Sequence, residues 1–282
     1  DVSGAAGGGS VRIGGDRQWQ GPLPNSESVF VGRDTRLDAS ATTRGDGGEI
    51  IVYADRDARI HGRIAATGGR EGGDGGFVET SGKVSLDVTD MPFVTATAGA
   101  PGTWLIDPLN IVISATANQC VGLLGCVNGP NWTSNASPAT LGANLITAAL
   151  NAGQNVTITT GAVGPEDGDI TLLGSPVIQK SAGAADVTLT LSAHNDIGIT
   201  APISQTGGSA VGRLNVVLRA DSDNSGAGNV ALRTPITTGG GSITASGRNV
   251  TVLGNLSSAG TAGRDGGAIS LTASPSGALN IT

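Results

Sequence analysis

Apolar residues arrive in short pulses separated by turn residues: Val11 and Ile13, Val29 to Val31, Leu37, Ile50 to Tyr53, Ile60 and Ile64. Glycine or an Asp-Gly pair punctuates nearly every one. Where a pulse lengthens, its period is two: Val84, Leu86 and Val88 alternate with Ser85, Asp87 and Thr89, the pattern of a strand with one buried face. From Asn155 onward one unit is rewritten again and again, in NVTITT, GDITLLG, ADVTLTLSAHNDIGITAPISQTGG, RLNVVLRADSDN and GNVALRTPITTGGGSITASGRNVTVLGNLSS. An Asn or Asp begins a strand with apolar residues two apart, a small turn follows, and a second short strand closes the unit. Pulses about 10 residues apart, two or three to a circuit, match an all-β solenoid better than a sandwich. At about 20 to 25 residues per coil the sequence predicts roughly 12 coils, with Val, Ile and Leu stacked inward and Thr and Ser facing solvent.

The densest information lies between Gly72 and Ser114, GGDGGFVETSGKVSLDVTDMPFVTATAGAPGTWLIDPLNIVIS. Gly72, Gly73, Gly75 and Gly76 permit a sharp turn before a strand at Phe77 to Thr80. Trp104 to Ile106, the turn at Asp107-Pro108, and Ile111 with Ile113 then read as strand, turn and strand. Residues 115 to 135 lose the periodicity and read as a loop projecting from the solenoid. After Ser137-Pro138 and Thr140, Leu141, Leu145, Ala148 and Ala149 recur at helical spacing, and Gly153 is placed to end a helix of about 10 residues. The chain thus divides into coils over 1–114, a loop with a short helix over 115–153, and regular repeats over 154–282.

Composition fits a thin core: 47 glycines and 2% aromatic residues leave small and β-branched side chains to fill the interior. Hydrophobic content of 38% with 14% charged residues argues against disorder. A net charge of −7 disfavours nucleic acid as a partner. Of the 16 basic residues, 10 lie at or before Lys83, and Arg33 with Asp34, Arg56 with Asp57, and Arg59 read as solvated surface pairs. No apolar run approaches the roughly 20 residues that span a bilayer. The chain begins at Asp1 and stops at Ile281-Thr282 in mid-pattern, so the expectation is a processed or excised piece of something longer.

The residues GGDGGFVETSGKVSLDV followed by GTWLIDPLNIVIS resemble the filamentous haemagglutinin family of large exoproteins secreted by the two-partner route. The likeness extends upstream through GGSVRIGGD, QGPLPNSESVFVG, DGGEIIVYAD and GRIAATGG, covering roughly the first two fifths of the chain with ordered motifs and the rest with looser repeats. It implies a right-handed parallel β-helix within a long adhesive filament on the bacterial outer surface. It also implies an outer-membrane transporter as partner of the full-length protein, host or neighbouring-cell glycans or proteins as ligands, and self-association end to end or side by side. The family's secretion domain, marked by an Asn-Pro-Asn-Gly type motif, is not matched, which favours a shaft segment.

Few residues suggest local chemistry. Cys120 and Cys126 are close enough to close a small loop through a disulfide, or stand reduced and buried; a metal site is argued against because His61 and His194 lie far from them in sequence. Leu123, Leu124 and Trp132 either form a surface contact or fold back onto the core. Asn131 and Asn135 head the glycosylation acceptor triplets, with Asn155, Asn249, Asn255 and Asn280 as further matches, and relatives of the resembled kind carry sugars at such sites. Asp221, Asp223 and Ser225 alternate like calcium ligands, but Leu232 stands where a closing Glu is expected, so a polar turn is the favoured reading. Glu166, Asp167 and Asp169 are the acidic cluster a carbohydrate-active β-helix enzyme would need, yet Pro165 and Gly168 mark a turn, and non-enzymatic function is expected. No motif calls for a cofactor.

Overall fold

The computed structural model describes residues 1–115, 138–161, 167–174, 177–261 and 263–282. The described residues form two compact units, one of residues 1–108 and 138–141, the other of residues 109–115 and the described residues from 142 to 282. Each is a stack of parallel strands wound as a β-helix. Among the described residues no helix is long and apolar enough to cross a membrane.

In the first unit, Ser10–Ile13, Glu49–Ala54, Phe77–Gly82 and Thr103–Ile106 pair in parallel along one face. Ser28–Val31, Asp57–Ile60 and Ser85–Val88 form a second face, and Arg36–Asp38 with Arg63–Ala65 a third. Register sets like on like: Val11, Ile50, Val78 and Trp104 share one column, and Val29, Ala58 and Leu86 another. Trp104 is fully buried, and its indole Nε1 donates to Thr80 Oγ1 at 2.9 Å, which settles the one polar atom of the column's largest ring. Glycine is required where the chain enters this face. A Cβ on Gly48 would strike the carbonyl oxygen of Gly9, and one on Gly76 that of Gly48, so coils close to sheet spacing only without side chains there.

In the second unit the first face stacks Asn155–Thr159, Val187–Ser192, Leu214–Arg219, Ile243–Gly247 and Ile269–Ala273. The second stacks Ile111–Ser114, Ile170–Leu172, Ile197–Ile199, Asn229–Leu232, Asn249–Val252 and Leu279–Ile281. Ile178–Lys180, Ile203–Gln205, Ile236–Thr237 and Leu256–Ser257 make the third. Burial alternates strictly along Val187–Ser192, as the Val/Leu and Thr/Ser pattern requires. Each inward Val, Leu or Ile contributes about 1.5 to 3 kcal/mol of burial.

Asn and Asp at the strand starts tie coil to coil. Asp46 Oδ1 accepts the Asp74 N–H and Asp74 Oδ1 accepts the Ala100 N–H, each at 2.7 Å. In the second unit one line runs from Asn110, which accepts Gly168 and Asp169 N–H, to Asp169, which accepts Asp196 N–H, and to Asp196, which accepts Asn229 N–H. It continues from Asn229, which accepts the Asn249 amide, to Asn249, which accepts Ala278 N–H. Asn155, Asp186 and Asn215 do the same at another corner for Thr188, Arg213 and Ser242. Rungs between adjacent coils in these lines are 28, 26, 27, 33, 20 and 29 residues apart in sequence. The coils are therefore mostly longer than the 20 to 25 residues expected, because three faces and their turns must fit into one circuit, and fewer coils use the same length of chain.

The α-helix runs Ala143–Asn151 and ends at Gly153 with φ +80°. Its Ala143, Leu145, Ile146, Ala149 and Leu150 are buried. The helix covers the free edge of strand Ile178–Lys180: Thr147 Oγ1 accepts the Gln179 N–H at 3.1 Å, and Asn151 Oδ1 accepts those of Ser181 and Ala182 at 2.8 and 3.0 Å. The wholly buried Lys180 turns back, and its Nζ donates to the carbonyls of Leu150, Ala182 and Gly183.

Candidate functional site

Several expected sites fall outside the described residues: Cys120, Cys126, Leu123, Leu124, Asn131, Trp132, Asn135 and Glu166. Of the acidic cluster, Asp169 is spent as a rung, accepting Asn195 Nδ2 at 2.8 Å as well as the Asp196 N–H. The candidate calcium residues form a self-satisfied turn. Asp221 accepts the Ser225 hydroxyl and the Gly226 N–H, both at 3.0 Å, and Asp223 pairs with His194 Nε2 at 3.2 Å. Among the described residues no group of three His, Cys, Asp or Glu side chains could hold a metal. Of the acceptor triplets, Asn249 donates the side-chain nitrogen that a sugar would need to Asn229 Oδ1 at 2.6 Å, whereas Asn155 carries its rung through Oδ1.

Two clusters were missed by reading polar residues as solvated. The first is organised by Glu79, which points away from the coil interior and is nevertheless fully buried. A strap of chain lies on it: the short turn Arg17–Trp19 holds Gln18 at φ +48° and Trp19 at φ +52°, backbone that L residues rarely adopt. Those angles aim the Gln18 N–H at the Glu79 carboxylate, 3.1 Å from Oε2 and 3.3 Å from Oε1. On one side of the strap the Arg17 guanidinium stacks on Phe77 at 3.8 Å. On the other, Lys83 Nζ sits 4.4 Å from the Trp19 ring centre and 3.2 Å from Asp55 Oδ1, which also accepts the Tyr53 hydroxyl at 2.9 Å. Burial pushes the Glu79 carboxyl up to about 7; the Asp107 charge adds to this, and hydrogen bonds from Ser81 and Gln18, with the Arg17 charge, oppose it. Burial, then the Asp55 contact, holds the Tyr53 phenol far above its ordinary range, so it stays a donor. For Asp55 burial is overridden by the bonds from Tyr53 and Lys83, and its carboxyl sits below the ordinary value.

The second cluster corrects the expected exposure of Asp57 and Arg59, although Arg56 does pair with Asp57, its Nε 3.7 Å from Oδ2. Asp57 and Arg59 are buried, along with His61, Ser85 and Asp87. Asp57 Oδ1 accepts the Ser85 hydroxyl at 2.6 Å across one register pair. Asp87 Oδ2 lies 2.9 Å from His61 Nε2 and 3.5 Å from Arg59 Nε. Ser85–Val88, expected to bury one face, is buried on both. Sequence separation hid the strap, since 61 residues divide Gln18 from Glu79; the usable signal was Glu79 itself, a charge inside an apolar strand pulse.

No family model matches the chain, and no curated protein matches it.

Proposed function

We propose that this chain is a structural and adhesive segment of a large secreted bacterial filament, a stiff support that presents its faces and turns to glycans or proteins of a host or neighbouring cell. The observation that carries this reading is the line of Asn and Asp rungs, which bonds each coil to the next through side chains as well as through the strands. Such construction resists bending and shear without a deep pocket. The motifs that resemble those of filamentous haemagglutinins support the same reading, which would bring with it export through an outer-membrane transporter. Immunogold microscopy of cells making the full-length protein, with an antibody to this segment, tests it: label along surface filaments is expected, and label confined to the cell interior would overturn it. Removing residues 115–135 then separates a support, which keeps its filament, from a binding module, which loses adhesion.

A carbohydrate-active enzyme is the second reading, favoured by one observation: Glu79 holds its proton to about 7 with the Asp107 charge nearby, as a general acid would. Its burial under the strap argues against it. Depolymerisation of polysaccharide that is abolished by Glu79→Gln would establish this alternative.

A further inference from the structure

We propose that a cleft of the second unit, centred on Arg219, binds the carboxylate of an acidic saccharide and its neighbouring ring hydroxyls. This rests on the adhesive reading and names the ligand. The cleft measures about 470 Å³ and is lined by Ser192, Arg219, Asn224, Ser246 and Thr272 among others, a size usual for small-ligand sites. Register places Ser192, Arg219, Ser246 and Thr272 side by side on the outward face of four successive strands, with Arg219 flanked by hydroxyls on both sides. Among the described residues the Arg219 guanidinium has no ion pair and no hydrogen bond, and the hydroxyls of Ser192, Ser246 and Thr272 have none.

The acidic groups beside it are already engaged. Asp221 is held by Ser225 and Gly226, and Asp223 by His194. The turn that walls the cleft keeps Asp221 and Asn224 at φ +56° and +58°, strain that its internal bonds hold in place. A planar fork of donors matches a carboxylate through two parallel hydrogen bonds, while serine and threonine hydroxyls both donate to and accept from sugar hydroxyls. The absence of an aromatic platform in the lining places the affinity in the charge and the hydroxyls.

Calorimetric titration of the 282-residue chain with oligogalacturonate tests the site, with maltooligosaccharide and sulfated dextran fragments as the other arms. Oligogalacturonate is expected to bind at least tenfold more tightly than either. Arg219→Gln, at an exposed position, should lose that binding at least tenfold with an unchanged melting curve, Ser246→Ala should lose it severalfold, and Arg233→Gln should keep it. No binding by the parent chain, equal binding of maltooligosaccharide, tighter sulfated dextran, or an equal loss in Arg233→Gln would overturn the proposal. Beads coated with the parent and with Arg219→Gln separate the two readings. Equal adhesion to cells sinks the cleft and leaves the adhesive reading standing, whereas beads that adhere to no cell surface sink the adhesive reading while the titration still reports on the cleft.

Discussion

Glu79 is a residue whose environment sets a sign. Its carboxyl ionises near the ordinary 4.5 in the unfolded chain and near 7 in the folded one, so between those values the folded state holds the extra proton. Stability from this group is fully present below about 4.5, falls as pH rises toward 7, and is flat above. The loss is on the order of 3 kcal/mol. Glu79→Gln keeps the shape without the charge, so its urea stability, compared with the parent from pH 4.5 to 8, should lack that decline; parallel curves would refute the assignment. Because the ionised carboxylate gains hydration when the strap lifts, trypsin cleavage after Arg17 should accelerate above pH 7 in the parent only. Rungs give a second residue-scale expectation. Asp196 accepts both the N–H and the amide of Asn229, at 2.6 and 2.9 Å, and Asp196→Ala leaves both without that acceptor. A loss of about 1 to 3 kcal/mol in denaturant melts is expected. The rungs were readable as a repeated Asn or Asp before each strand. The buried charges were not, because alternation says which side of a strand a residue faces and nothing about what distant chain lies over that side.

Helix Ala143–Asn151 shows how an element takes the place of a strand in the stack. A sheet edge offers N–H groups to solvent or to another chain, and here Thr147 and Asn151 receive them. The helical spacing and Gly153 made this element legible in sequence, with its start two residues later than Leu141 suggested. Its purpose was not legible, since the partner strand begins at Ile178, beyond one strand of the first face and one of the second. Lys180 fastens the arrangement from the opposite side: desolvation lowers its ammonium below the ordinary lysine range, and three carbonyls receive its protons. Lys180→Met keeps the volume and strands those carbonyls. It should cost about 2 to 3 kcal/mol and raise hydrogen exchange first at Gln179 and Ser181. Unchanged exchange at those amides would mean that the helix holds the edge without its lysine.

Coils of one construction should be interchangeable, and this is the expectation proper to the whole molecule. Removing residues 187–213 deletes one circuit of the second unit, and 27 residues is also the separation of the rung partners Asp186 and Arg213. Asn155–Thr159 would then meet Leu214–Arg219, with Leu214, Val216 and Leu218 replacing Val187, Leu189 and Leu191 in the core columns. Ile170 and Leu172 would meet Val230 and Leu232, and Asp169 would face Asn229 in place of Asp196. Each of these columns keeps an aliphatic side chain, and each of these rungs keeps an Asn or Asp. Removing only residues 187–199 cuts a circuit part way, sets third-face residues against first-face ones, and leaves apolar side chains pointing to solvent. The whole-coil deletion should retain a strand-rich circular dichroism spectrum and a cooperative melt at reduced midpoint, because nearest-neighbour coil contacts supply most of the stability. The part-coil deletion should lose the cooperative melt. If the two deletions behave alike, stability resides in contacts particular to each coil, and the mechanical reading of the fold loses its physical basis.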